Sequence, residues 1–128
     1  MKKIIIASLT ASVMFLFTAS AFADVIEVMN CKFNDDKTGA DLVAVSSAWL
    51  KAAKSMEGGE DLEVYLDFPL VADTEDGEFL FVAVFADMKT YGVFMNGYSS
   101  SPAAEADEAW YEVATCSGNS LWESVEIE

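Results

Sequence analysis

The sequence contains neither histidine nor arginine, and the lack of histidine already excludes several classes of function. Histidine is the commonest general base and the commonest metal ligand, so Ser-His-Asp triads, Cys-His dyads and His-ligated zinc or haem are impossible. The two cysteines are too few for a four-sulfur zinc site. We therefore expect no metal and no cofactor.

Positive charge is scarce as well: 22 acidic residues stand against 7 lysines, for a formal net charge of −15. A chain this acidic repels nucleic acid and anionic lipid, and it has no arginine to make bidentate contacts with phosphate. We therefore expect neither as a partner. Its hydrophobic content of 53% is too high for a disordered chain. We expect a folded protein in a saline extracytoplasmic setting, because salt screens the repulsion between its carboxylates.

Residues 1–23 have the layout of a secretory signal peptide. They begin with positive charge at Lys2 and Lys3, continue in an apolar run to about Phe17, and end in a small-residue pattern at Ala23. The run is shorter than the roughly 20 residues that a membrane span needs. We expect cleavage after Ala23 and a periplasmic or secreted protein with no membrane attachment; the alternative is a retained anchor or core helix.

The remaining residues, 24–128, are enough for one domain with a modest core. Loss of Lys2 and Lys3 with the leader changes the formal charge from −15 to −17. In an oxidising compartment the expected state of Cys31 and Cys116 is a disulfide, and two free thiols are the alternative.

Hydrophobic periodicity predicts four strands and two helical regions. A capping-box pattern at Thr38 and Asp41 opens the first helix, Asp87 caps a short and poorly formed helix, and Ser101 followed by proline opens another. The predicted segments are strands at 25–31, 62–68, 79–85 and 121–127, a helix at 42–56, and a broken helical region at 88–95 and 102–114.

This order, βαββαβ, predicts an α+β ferredoxin-like domain with a four-stranded antiparallel sheet. In that topology the last strand lies antiparallel beside the first. The end of the first strand then meets the start of the last, which is where Cys31 and Cys116 fall. The hydrophobic periodicity alone, which takes no account of cysteine pairing, thus predicts that these two distant cysteines lie close together.

The strand at 79–85 is apolar on both faces, although the helices of this topology cover only one. Leu80, Val82 and Val84 face one way and the four residues that alternate with them face the other. An apolar face of this size is larger than soluble monomers usually expose. We therefore predict a homodimer whose interface contains Leu80, Val82 and Val84.

The element order, a tryptophan-bearing first helix and a broken second helix resemble the dimeric α+β barrel superfamily, over most of residues 25–127. The superfamily includes antibiotic-biosynthesis-type and haem-degrading monooxygenases. The resemblance implies that two sheets pack face to face and that any substrate lies between the sheet and the helices. Haem degradation through a histidine ligand is excluded here, since the chain has no histidine.

A cofactor-independent oxygenase of this type would need a polar group to deprotonate or orient its substrate. Asn96, Tyr65 and Asp67 are the available candidates, although Tyr65 and Asp67 also fit the ordinary outer face of a strand. The acidic turns at 35–41 and 73–78 lack the spacing of an EF-hand and are interpreted as solvated turns rather than calcium sites.

Aromatic and methionine side chains cluster where the strand at 79–85 meets the helices, and they form either an apolar ligand cleft or plain core. The members of this candidate cleft are Trp49, Phe81, Phe85, Tyr91, Phe94, Met95 and Trp110. Three hypotheses for function follow: a non-enzymatic dimer that holds an apolar small molecule, a cofactor-independent monooxygenase-like enzyme, or a secreted structural or interaction protein without a ligand. Of these we favour the first.

Overall fold

The computed structural model describes residues 24–71, 73 and 75–127, and the predicted leader at 1–23 lies outside them. The elements, in chain order, are β1 (Asp24–Phe33), α1 (Gly39–Ala53), β2 (Glu63–Asp67), β3 (Glu78–Phe85), α2 (Met88–Tyr98), α3 (Pro102–Tyr111) and β4 (Ala114–Ser124). Within the described residues, no helix is long and apolar enough to cross a membrane.

The four strands form one antiparallel sheet in the order β2-β3-β1-β4. This confirms the predicted α+β ferredoxin-like architecture and the position of the last strand beside the first. The helices pack on one face of the sheet, which we call the helix face. The opposite side, which they leave uncovered, is called the open face.

Helix α1 forms as its sequence predicts. The Thr38 hydroxyl accepts from the Asp41 backbone N–H, and the Asp41 carboxylate accepts from the Thr38 N–H in return, which completes the capping box. Its buried positions recur at three- and four-residue steps as Leu42, Ser46, Trp49 and Ala53. The helix ends at Ala53, three residues before the expected end at Met56.

The region between β3 and β4 contains two regular helices, so the order is βαββααβ. The predicted break, with a second helix that opens at Ser101, is confirmed, whereas the expectation that the first of the two is short and poorly formed was wrong. Two glycines, Gly92 and Gly97, weaken the intrinsic helix preference of α2 by about 1 kcal/mol each. The Asp87 side chain offsets part of this cost because it accepts from the Thr90 N–H, and Phe94 adds buried contact.

Strand β4 begins at Ala114 and not near residue 121, so the predicted start of the last strand was also wrong. Residues 117–119, which resemble a helix stop, lie inside the strand. There the register moves from the pair Met29–Asn119 to the pair Cys31–Cys116, which leaves one extra residue in β4. Gly118 has φ +89° and accommodates this bulge, a conformation that glycine adopts without strain.

The disulfide between Cys31 and Cys116 is present, and its Cα atoms are 3.9 Å apart across β1 and β4. It confirms the predicted pairing and excludes two free thiols. The bridge closes a loop of 85 residues. In the chain-entropy model, closing a loop of that length stabilises the fold by about 4 kcal/mol.

Strand β3 divides its side chains between the two faces as expected. Phe79, Phe81, Ala83 and Phe85 are buried on the helix face, whereas Leu80, Val82 and Val84 are only half-buried on the open face. The expectation that β3 is buried on both faces therefore holds for the helix face. In a single chain the open face is only half-buried.

Candidate functional site

A cavity of about 170 Å³ lies between the helix face of the sheet and the helices. Five residues of the predicted apolar cleft line it: Trp49, Phe81, Phe94, Met95 and Trp110. These residues come from α1, β3, α2 and α3, so every layer of the domain contributes to the wall.

The other two predicted cleft residues, Phe85 and Tyr91, do not line this cavity. Their rings contact each other edge to face with centroids 5.1 Å apart, and Phe85 is 1% exposed. Phe85 lies two rungs beyond Ala83 on β3, opposite Val25, and belongs to the packed core. These two residues of the predicted cleft therefore lie outside the lining of this cavity.

The two tryptophans of the cavity flank Phe81. The ring centroids are 5.5 Å apart for Trp49 and Phe81 and 5.6 Å apart for Phe81 and Trp110, both in edge-to-face geometry. The indole N–H of Trp110 donates to the Ser46 hydroxyl at 3.0 Å, which also satisfies that buried serine. Because packing and hydrogen bonds both hold these rings, the aromatic wall is formed before any ligand enters.

The polar group of the cavity is a cluster of Trp49, Tyr98 and Asp107. The Tyr98 hydroxyl donates to the Asp107 carboxylate at 2.8 Å, and the Trp49 indole N–H lies 3.0 Å from the same oxygen and 2.9 Å from the Tyr98 hydroxyl. The three residues come from three helices. Asp107 precedes Trp110 by one helical turn, so both side chains lie on the same side of α3.

Burial shapes the proton affinities of this cluster. It raises the pKa of the Asp107 carboxyl, although the hydrogen bonds from Tyr98 and Trp49 oppose that rise by stabilising the charged form. Burial also raises the pKa of Tyr98 far above its ordinary value, so its hydroxyl stays a neutral donor. The pKa of Tyr111, at the cavity wall, is raised by burial and by the charge of Asp107.

A second carboxylate, Glu27, also lines the cavity. It lies on β1 between Ala83 of β3 and Leu121 of β4, which places it on the helix face, and the Asn119 side-chain amide donates to it at 2.6 Å. Along β1 it is the one charged side chain on this face, because Val25, Met29 and Cys31 belong to the core or pack against it. Two acidic groups therefore border a space whose other walls are aromatic and sulfur-containing side chains.

The predicted cleft did not include six residues that line the cavity: Glu27, Met29, Tyr98, Asp107, Tyr111 and Cys116. Two of them carried a signal. Glu27 shares the parity of Val25 and Met29 along β1, so it is a lone charge among core positions. The one-turn spacing to Trp110 places Asp107 on the apolar stripe of α3.

The polar residues considered for an oxygenase lie elsewhere. Tyr65 and Asp67 pair with Val82 and Leu80, which places them on the open face. Asn96 is exposed on α2 and does not line the cavity.

The acidic turns have structural contacts. Asp41 caps α1, the Glu75 carboxylate pairs with Lys32 at 2.7 Å, and Glu78 accepts from the Glu75 N–H. Among the residues that the structure describes, no three acidic or cysteine side chains gather as a metal site would require.

Comparisons with known proteins identify the fold. No family model matches the chain, and no curated protein matches it. Among solved structures, the cofactor-independent oxygenase SnoaB from Streptomyces nogalater is similar, with TM-score 0.56 and 13% identity over 82% of this chain and 96% of that one. A putative antibiotic biosynthesis monooxygenase from Chloroflexus aurantiacus gives TM-score 0.54 and 9% identity over 82% and 96%. The hydroxynitrile lyase from Passiflora edulis gives 0.54 and 12% over 84% and 96%.

The chain therefore has a ferredoxin-like α+β fold similar to that of an oxygenase and a putative antibiotic biosynthesis monooxygenase, as its resemblance to that superfamily predicted. Identities of 9–13% establish the fold alone. The same fold includes a protein described as an oxygenase and another described as a lyase, so function must be argued from the cavity of this chain.

Proposed function

We propose that the chain is an exported homodimer that binds a small apolar or aromatic molecule in its cavity and does not catalyse a reaction. The observation that carries this proposal is the preformed aromatic wall, in which Trp49 and Trp110 are held by hydrogen bonds around Phe81. The cavity, at about 170 Å³, is close in size to an apolar cavity of about 150 Å³ that accepts benzene.

A cofactor-independent oxygenase is the second candidate, and one observation favours it. Asp107 is a half-buried carboxylate of raised pKa in an aromatic cavity, which is a suitable setting for a base that takes a proton from a substrate. The anion so formed would then react with dioxygen. We favour binding without catalysis because Tyr98 and Trp49 both donate to Asp107, and such bonds weaken it as a base.

Dimerisation is supported by the open face of the sheet. Leu80, Val82 and Val84 of β3 lie there beside Ile26 and Val28 of β1, and all five are only half-buried in a single chain. A second copy offers an identical apolar face, so pairing the two removes both from water. Export is supported by the disulfide, because such bonds form and persist in oxidising compartments such as the periplasm.

Ligand binding is tested by filling the cavity from its rim. Met95 lines the cavity and is 42% exposed, so Met95→Trp should block the space without removing core contacts. Met88→Trp is the matched control, because Met88 lies on the same helix, is 58% exposed and does not line the cavity. Binding of benzyl alcohol, followed by NMR chemical shifts of cavity residues, should be lost in Met95→Trp and kept in the control.

Native mass spectrometry of protein purified from the periplasm tests the rest of the proposal. We expect a dimer that starts at Asp24, carries one disulfide and retains a small ligand. Failure of benzyl alcohol to bind, together with a ligand-free native mass, would favour a structural or interaction role. Consumption of oxygen with an added phenolic substrate would favour the oxygenase.

A further inference from the structure

We propose that the cavity selects a small aromatic molecule that carries a positive charge, such as an arylalkylamine, and that the Asp107 carboxylate pairs with its ammonium group. This inference rests on the proposed binding function and adds the chemical class of the ligand. It follows from the charge, the hydrogen bonding and the wall of the cavity.

The charge of the cavity lining is uncompensated. Asp107 and Glu27 contribute carboxylates, and no lysine lines the space. In the part of the chain that the structure describes, the one ion pair joins Lys32 and Glu75, neither of which borders the cavity. The acidity of the whole chain adds a field of the same sign, which attracts cations and repels anions.

Asp107 keeps acceptor capacity for a ligand. Its carboxylate receives hydrogen from two donors, the Tyr98 hydroxyl and the Trp49 indole, whereas a carboxylate offers about four lone-pair positions. These donors are neutral, so they hold the group in place without cancelling its charge. A carboxylate fixed in this way can accept an ammonium proton without first being ordered, which limits the entropic cost of binding.

The aromatic wall favours the same class of ligand. The wall contains Trp49 and Trp110, and tryptophan is the side chain that attracts a nearby cation most strongly. Four further aromatic rings line the cavity: Phe81, Phe94, Tyr98 and Tyr111. A neutral hydrocarbon would contact the aromatic rings alone, and the partly buried Asp107 carboxylate would then have no counter-charge. Burial raises the pKa of Asp107, and an ammonium group beside it would reverse that effect.

The size of the cavity limits the ligand to one ring and a short aminoalkyl chain, by comparison with an apolar cavity of about 150 Å³ that accepts benzene. Three probes of similar shape and different charge therefore test the proposal: benzylamine, benzyl alcohol and benzoate. Their affinities for the purified mature protein are measured by calorimetry at neutral pH. We expect benzylamine to bind most tightly, benzyl alcohol more weakly and benzoate not measurably.

Asp107→Asn keeps a carbonyl acceptor for Tyr98 and removes the charge. It should lower the affinity for benzylamine by about tenfold or more, as expected for a lost charge-assisted hydrogen bond, and change that for benzyl alcohol by no more than about twofold. Glu108→Gln is the matched control, because it removes one charge from an exposed position on the same helix. That variant should bind all three probes as the parent does.

The outcomes separate this inference from the function on which it rests. If benzyl alcohol binds as tightly as benzylamine, the cationic ligand class is wrong and the apolar binding site stands. An equal loss of benzylamine affinity in Glu108→Gln would show that net charge, and not Asp107, selects the amine. If no probe binds, both proposals fail. The comparison among probes uses the unmodified protein, so it remains decisive even if Asp107→Asn does not fold.

Discussion

The Asp107 carboxylate on α3 accepts hydrogen bonds from side chains of α1 and α2, so it links the three helices. The Tyr98 hydroxyl belongs to the last residue of α2, and the Trp49 indole belongs to the C-terminal half of α1. Trp49 is buried, and Tyr98 and Asp107 are partly buried, so water from the cavity replaces a lost acceptor only in part. An unsatisfied buried donor costs more than the hydrogen bond itself contributes.

We expect Asp107→Leu to lower the free energy of unfolding by about 1–3 kcal/mol, because the Tyr98 hydroxyl loses its acceptor. Asp107→Asn keeps a carbonyl oxygen there and should cost less than about 1 kcal/mol. Urea unfolding followed by tryptophan fluorescence measures both, with Glu108→Leu as an exposed control on the same helix. Equal losses for the two Asp107 variants would contradict this account.

Single residues also mark the limit of what the sequence reveals about the site. The aromatic members Trp49, Phe81 and Trp110 were predictable because large apolar side chains at core spacing collect where a strand meets helices. Asp107 was not, because a carboxylate on a helix is usually solvated. Its one-turn spacing to Trp110 places it on the inner side of α3, but the partner that orders it, Tyr98, is known only from the three-dimensional contact.

At the scale of elements, the start of α1 shows how a local signal fixes a boundary. The Thr38 and Asp41 side chains each satisfy a backbone N–H of the other residue. The hydrogen bond from the Thr38 hydroxyl lowers the pKa of the Asp41 carboxyl, and the bond from the Thr38 N–H adds to this. A lowered pKa means that the folded state holds this carboxylate in its charged form more strongly than the unfolded chain does.

Thr38→Ala should destabilise the protein by about 1 kcal/mol at neutral pH, the usual cost of losing an N-cap threonine. The Asp41 part of this cap stabilises the fold above the ordinary pKa of aspartate and is lost as pH falls through the lowered folded pKa. The difference between parent and variant should therefore shrink below about pH 4. Urea unfolding at neutral and acid pH, with Ser47→Ala as an exposed control in α1, measures it. A difference that does not change with pH would contradict the linkage.

Elements with a regular pattern were predictable, and an element with a bulge was not. Strands β1 and β3 are nearly continuous apolar runs and helix α1 keeps a helical period, so their boundaries lay within a few residues of those expected. Strand β4 changes register at Gly118, and turn-forming residues within a strand look like the end of a helix. Helix α2 was underestimated because buried Phe94 and the Asp87 cap outweigh its glycines.

For the whole molecule, the open face and the net charge act in opposite directions. Val82 lies at the centre of β3, flanked across the sheet by Val28 of β1 and Tyr65 of β2, so an apolar strip crosses this face. Burying it against a second copy is favourable. The formal charge, −15 for the full sequence and −17 if the chain is cleaved after Ala23, opposes that approach, and salt screens this repulsion. Hydrophobic contact and electrostatic repulsion can therefore be distinguished by ionic strength.

We expect the mature protein to sediment as a dimer at micromolar concentration, with an association constant that rises as sodium chloride is added. Val82→Asp should produce monomers because it places a carboxylate in the centre of the interface, where burial of an unpaired charge is costly. Val43→Asp is the matched control, since Val43 is 51% exposed on α1 and lies away from the open face. Analytical ultracentrifugation of the parent protein and the two variants, at low and high salt, measures the fraction of dimer in each. A parent protein that remains monomeric at high salt would contradict the dimer and leave the open face for a different partner, whereas loss of the dimer in both variants would assign the effect to added charge.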